Sequence, residues 1–129
     1  MKLYVREPGT DETRASLDGA SMVATSRVAY PEARAVLARR QREAGIARSA
    51  LVRAVSALDR DLERFVVVEL SAQVARRAGE LAERRALRGF DAIHLASALE
   101  VEQLTGSTPN FCCFDDRLRE AASAEGLSV

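Results

Sequence analysis

The run at residues 65–70 (FVVVEL) constrains the fold of this chain most. It is β-branched and apolar on both faces, which is typical of a parallel strand whose sheet has helices on each side. Apolar residues recur at helical spacing before it, over about residues 47–63, and Ser71 after it is a suitable N-cap for another helix. Because strands and helices alternate along the chain, the sequence predicts a three-layer α/β/α sandwich with a mainly parallel sheet.

The other elements follow from capping residues and breakers. Helices are predicted over about residues 10–18, from residue 25 or 26 to 43, and over 47–63, 71–88, 91–104 and 116–124. Short strands are predicted over 22–25, 111–114 and 127–129.

Length and composition bound the class of protein. With 129 residues, 47% of them hydrophobic, the chain can close one core and is predicted to be a single domain over residues 1–129. No apolar run is long enough to span a membrane and no secretory signal is encoded, so we expect a cytoplasmic protein. Acidic and basic residues balance at 19 each, so a polyanion must be held by local groups rather than by net charge. The adjacent Cys112 and Cys113 are expected to be reduced and buried.

Three carboxylates occupy positions where the pattern predicts burial or a strand end. Glu32 lies within an apolar helical stripe, Asp91 opens an almost wholly apolar helix, and Asp115 follows a predicted strand. In a parallel α/β sheet such positions meet at one edge, so we expect the three to converge. Gathered carboxylates resist ionisation unless a hard cation, Mg²⁺ or Mn²⁺, neutralises them. Such an ion acidifies water and stabilises charge on a phosphodiester oxygen, so the predicted chemistry is phosphodiester hydrolysis.

A structural interpretation competes with this one. Glu32 could form a buried salt bridge with an arginine instead. With 19 acids in a small protein, spacing alone does not single out a metal site.

Four motifs in order carry a resemblance to a known family. They are residues 4–9 (YVREPG), 23–32 (VATSRVAYPE), 90–96 (FDAIHLA), and 114–118 (FDDRL) with the small and apolar residues that follow. The chain closely resembles the PIN-domain family and, within it, the VapC toxins of bacterial toxin–antitoxin pairs. The resemblance implies a PIN-like sandwich and a Mg²⁺-dependent endoribonuclease. It also implies a homodimer and an antitoxin that inserts a segment near the active site.

The resemblance also implies residue roles. Glu32, Asp91 and Asp115 match the family's catalytic, metal-binding acids, and Asp116 is an additional candidate ligand at a position that varies in the family. Thr25 and Ser26 resemble small hydroxyl residues beside the site.

His94 is common at its position in the family. We expect it to be structural, because one histidine alone makes no acid–base pair.

The N-terminus departs from the family pattern. PIN domains begin with a strand that ends in an Asp, whereas this chain opens with Met1-Lys2-Leu3-Tyr4. The expectation is therefore an N-terminally truncated domain that lacks the first strand and one metal-ligating Asp.

This departure favours one alternative to the toxin ribonuclease, an inactive, truncated PIN domain that only binds antitoxin or dimerises. A separate alternative is a PIN nuclease of RNA processing.

Overall fold

The computed structural model describes residues 8–129, which contain six helices and two strands. The first part of the YVREPG motif and the expectation about an absent first strand lie outside the described residues. The helices are α1 (Thr10–Asp18), α2 (Ala29–Ala44), α3 (Arg48–Arg64), α4 (Ala72–Arg85), α5 (Gly89–Thr105) and α6 (Asp116–Ala124). The strands are β1 (Ala24–Ser26) and β2 (Val66–Val68), and they pair in a two-stranded sheet.

The described chain divides into two compact units. One comprises the residues up to Val23 together with Ala29–Val66, and the other comprises Ala24–Val28 together with Val67–Val129. The single-domain organisation over residues 1–129 stays a prediction. None of the described helices is long and apolar enough to cross a membrane.

The first unit contains α1 and the packed pair α2 and α3. In this pair Leu37 and Leu58 are buried, while most of the predicted apolar stripe of α3 is only half-buried. The Tyr30 hydroxyl donates to Asp59 Oδ1 at 2.9 Å and accepts from Arg34 at 2.7 Å, so a polar contact also joins the two helices.

The second unit is built around α5, which packs against α4, α6 and β1. Leu81, Leu95 and Val74 are its largest fully buried side chains. The core is aliphatic throughout, and its buried members are Val68, Val74, Ala78, Leu81, Leu87, Ala92, Leu95, Ala96, Leu99, Val101, Leu118, Ala121, Ala122 and Leu127. The buried residues of α5 therefore form the surface against which α4, α6 and β1 pack.

Two predicted boundaries differ from the structure. The helix predicted from residue 25 or 26 begins at Ala29, because residues 24–26 form β1 and the Arg27 N–H donates to Val68 O at 2.9 Å. The helix after Ser71 ends at Arg85 rather than near residue 88, because Ala86 adopts a left-handed conformation (φ 51°) and its N–H donates to Ala82 O. The predicted cap is confirmed, since Ser71 Oγ accepts the Val74 N–H at 3.1 Å.

The predicted strands at 111–114 and 127–129 do not form. A single parallel bridge joins Asn110 and Ser128, and the Phe111 N–H donates to Ser128 O at 2.7 Å. Phe111 and Cys113 pack against the core while Cys112 and Phe114 are exposed. Residues 111–114 are therefore an extended segment with one face packed against the core. Their apolar sequence does not by itself imply strand pairing through backbone hydrogen bonds.

A half-buried carboxylate joins α4 to the residue that follows α6. Glu125 accepts hydrogen bonds from Arg84 at 3.1 Å and from Arg85 at 2.8 Å, and only 15% of its side chain is exposed. Burial by itself raises the pKa of Glu125, but the hydrogen bonds from Arg85 and Arg84 outweigh it and hold the pKa below its usual value.

Glu125→Gln should therefore lower the free energy of unfolding at pH 7 by about 1 kcal/mol. A carboxyl with a lowered folded-state pKa stabilises fully above its unfolded value, here 4.5. That stabilisation is lost as the pH falls through the lower folded value. Urea unfolding of both proteins between pH 3 and pH 7 should show a difference that shrinks below about pH 4.5. A pH-independent difference would contradict the assignment.

Candidate functional site

Asp91 is the third residue of α5 and lies in its first turn. The residue is half-buried, and Ala92, Leu95 and Ala96 after it are fully buried. No hydrogen bond or ion pair to the Asp91 carboxylate is present within residues 8–129. Its negative charge is stabilised by the free N–H groups and the positive dipole end of the helix N-terminus. The N-terminus of α5 thus lowers the free-energy cost of a carboxylate at position 91. Within residues 8–129 no group bonds to the carboxylate oxygens, which remain available to a cation.

Asp115 is the N-cap of α6. Its Oδ1 accepts the Leu118 N–H at 2.9 Å, and the residue is exposed. This capping role was not predicted, although an Asp directly before a helical pattern is a recognised signal for it. Because capping uses Oδ1, Oδ2 remains available to a ligand. Asp116 is the first residue of α6 and is also exposed.

Glu32 lies in the first turn of α2 and is half-buried. It belongs to the first unit, whereas Asp91 and Asp115 belong to the second. Within residues 8–129, no three His, Cys, Asp or Glu side chains form a group that could hold a metal ion. The complete set of Glu32, Asp91, Asp115 and Asp116 therefore stays a prediction.

Three polar residues lie at the carboxyl ends of β1 and β2, and they were not predicted from the sequence as one group. Ser26 is the last residue of β1; it is 3% exposed, and its Oγ is buried without a hydrogen-bond partner in the described chain. Arg27 follows β1 and Glu69 follows β2, and these two side chains form an ion pair. In parallel α/β sheets, this edge is where ligands bind.

Within residues 8–129, neither cysteine belongs to a group of three possible metal-ligating side chains. Both are free thiols; Cys112 is exposed, contrary to the expectation, and Cys113 is half-buried. Burial raises the pKa of the Cys113 thiol to about 11, so the thiol is protonated at neutral pH and is a weak nucleophile. His94, one turn after Asp91, is half-buried, and its structural role stays a prediction.

The available donors suit a hard cation. The Asp91 carboxylate and Asp115 Oδ2 are oxygen ligands of the kind that Mg²⁺ and Mn²⁺ prefer, and both residues lie in one unit. The Ser26 hydroxyl, in the same unit, adds a buried polar atom that has no hydrogen-bond partner within residues 8–129. The residues present therefore fit a divalent ion in their chemistry.

Comparison with known proteins gives consistent results. A family model described as "PIN domain" matches residues 1–123. Ribonuclease VapC45 of Mycobacterium tuberculosis (strain CDC 1551 / Oshkosh) and Ribonuclease VapC49 of strain ATCC 25618 / H37Rv are each 41% identical over 135 residues. Ribonuclease VapC46 of the latter strain is 35% identical over 132 residues. Each alignment covers 100% of this chain and 88% of the relative.

Proposed function

We infer the function of this chain from its family. The chain belongs to the PIN-domain family and to its VapC group. The resemblance seen in the four sequence motifs is thereby confirmed, and so is the α/β PIN-like fold class. We propose that the chain is an endoribonuclease that hydrolyses RNA phosphodiester bonds with the help of Mg²⁺ or Mn²⁺. Its relatives are named ribonucleases, and their similarity extends over the whole of this chain.

The observation that carries the proposal is the position of Asp91. Asp91 is a half-buried carboxylate in the first turn of the helix that organises its unit, and it has no hydrogen-bond or ion-pair partner within residues 8–129. The helix N-terminus stabilises such a charge by only about 0.3–1 kcal/mol and leaves both carboxylate oxygens available. Metal ligation would use them. Asp115, whose Oδ2 is not needed for capping, is proposed as the second ligand from the same unit.

Glu32 completes the proposed catalytic set, and Asp116 is the additional candidate ligand. Both assignments come from the family resemblance. A bound divalent ion acidifies water and stabilises negative charge on the phosphodiester. The chain's own contribution is to hold the Asp91 and Asp115 carboxylates at the starts of two helices, where each is stabilised by backbone N–H groups.

The family resemblance supports the biological setting of the proposal. The chain is proposed to act as the toxin of a toxin–antitoxin pair, with an antitoxin protein and RNA as its partners. A homodimer and a cytoplasmic location belong to the same proposal.

A catalytically inactive domain that only binds an antitoxin or dimerises is the second candidate. The finding that favours it is that residues 8–129 contain no group of three possible metal-ligating side chains. A PIN nuclease of RNA processing would share the chemistry and differ in its biological partners.

Cleavage of a structured RNA by the 129-residue protein tests the proposal. We expect cleavage in Mg²⁺, loss of cleavage in EDTA, and recovery when Mg²⁺ is added in excess of the chelator. Absence of cleavage by a folded, monodisperse sample would favour the inactive domain. Cleavage that persists in EDTA would contradict the metal-dependent mechanism.

A further inference from the structure

One ion pair spans the carboxyl ends of the two strands. Arg27 Nε donates to Glu69 Oε2 at 3.0 Å and to Oε1 at 3.2 Å, and a terminal guanidinium nitrogen also donates to Oε1. The pair follows β1 and β2 directly, and all of its atoms belong to the unit that contains Asp91 and Asp115. Two N–H groups of one guanidinium thus bind the two oxygens of one carboxylate.

The fold has little need of this pair. The side chains of Arg27 and Glu69 are 48% and 66% exposed, and exposed ion pairs contribute little to stability because water solvates both charges. The two strands are already joined at this point by the backbone bond from the Arg27 N–H to Val68 O. The pair therefore contributes little to the joining of β1 and β2.

The location and the geometry both indicate a ligand. Ligands of parallel α/β sheets bind at the carboxyl edge, where Arg27 directly follows Ser26 in the sequence. The Ser26 hydroxyl is buried and has no hydrogen-bond partner within residues 8–129. A guanidinium that binds a carboxylate through two parallel N–H groups presents the same two donors to a phosphate. The Glu69 carboxylate therefore occupies the Arg27 donors that a phosphate would bind.

We propose that Arg27 binds a backbone phosphate of the RNA, and that Glu69 occupies the Arg27 guanidinium when RNA is absent. This inference rests on the proposed ribonuclease function and adds a substrate-positioning residue to it. When RNA binds, its phosphate replaces the Glu69 carboxylate, and the carboxylate is left in water at little cost because it is exposed. Glu69 thus weakens RNA binding and selects against weakly held anions.

The proposal makes opposite predictions for the two partners. Glu69→Gln should tighten RNA binding about 3- to 10-fold, because it removes both the competitor and a negative charge near the phosphate. Arg27→Gln should weaken RNA binding about 10-fold and lower the slope of log affinity against log salt by about one. The double variant should behave like Arg27→Gln, because Glu69 acts only through Arg27. A purely structural pair would instead give two variants with similar, small losses of stability and unchanged RNA affinity.

Fluorescence anisotropy with a fluorescein-labelled structured RNA in EDTA measures binding without cleavage. Arg84→Gln is the matched control, because Arg84 is an exposed arginine paired with Glu125, which keeps Arg85 as a partner. It removes the same charge at a distant position in the sequence and should leave the affinity near that of the unaltered protein. Thermal unfolding of each variant checks that it is folded.

Opposite signs for Glu69→Gln and Arg27→Gln would support the inference. Changes of the same sign, an effect of Arg84→Gln equal to that of Arg27→Gln, or no RNA binding by any variant would overturn it. Cleavage in Mg²⁺ is measured separately on the same proteins. An inactive protein that still shows the opposite signs in binding would refute only the proposed catalysis, whereas an active protein without them would refute only the role of Arg27.

Discussion

Asp91→Asn should reduce the rate of Mg²⁺-dependent RNA cleavage by at least about 100-fold while the protein stays folded. Asparagine has the same size and keeps an oxygen acceptor at the start of α5, but it loses the charge that holds a divalent ion. The structural cost is small, because a charge at a helix N-terminus contributes about 0.3–1 kcal/mol. Initial cleavage rates across a Mg²⁺ titration, with unfolding curves for both proteins, measure the two effects separately.

Asp11→Asn is the matched control for this experiment. Asp11 lies in the first turn of α1, as Asp91 lies in the first turn of α5, but it is exposed and outside the proposed site. The same chemical change there should leave cleavage intact. Full activity of Asp91→Asn, or an equal loss in Asp11→Asn, would refute the role assigned to Asp91.

Local signals predicted the helices of this chain well, since each depends on residues close in sequence. The predicted ranges 10–18 and 116–124 coincide with α1 and α6, and Ser71 caps α4 as its position after the apolar run indicates. The predicted start of α2 was wrong for a physical reason. Thr25 and Ser26 are good capping residues, but they belong to β1, which pairs with β2. That pairing depends on a segment some 40 residues away in the sequence.

The candidate site, too, contains residues that nearby sequence predicts and residues that depend on contacts distant in the sequence. The sequence alone identifies Asp91 as a candidate ligand, because it is a charged residue at the start of an almost wholly apolar helix. The Arg27–Glu69 pair joins residues 42 positions apart and depends on the register of the sheet, which no local pattern reports. Asp115 is intermediate. The helix that follows it was predicted, but the strand predicted before it does not form, and its use as a helix cap was not predicted.

Replacement of Asp115 can separate its two roles, because helix capping and metal binding have different chemical requirements. Asn and Ser are good N-caps, so Asp115→Asn and Asp115→Ser should keep the free energy of unfolding within about 0.5 kcal/mol. Asp115→Ala removes the acceptor for the Leu118 N–H and should cost about 1 kcal/mol. All three variants lack the carboxylate and should lose RNA cleavage by about 100-fold, if Oδ2 binds the metal ion as proposed.

Urea unfolding and initial cleavage rates of these three variants distinguish the proposal from a capping role alone. Ser71→Ala supplies the control, because Ser71 caps α4 in the same way and its loss should lower stability by a similar amount. If Asp115 only caps α6, activity should survive in the Asn and Ser variants, and the Ala variant should resemble Ser71→Ala. If Asp115 binds the metal ion, activity should disappear in all three while stability falls only in the Ala variant. Retained cleavage in Asp115→Asn would therefore remove Asp115 from the metal site and leave Asp91 and Asp116 as the proposed ligands in their unit.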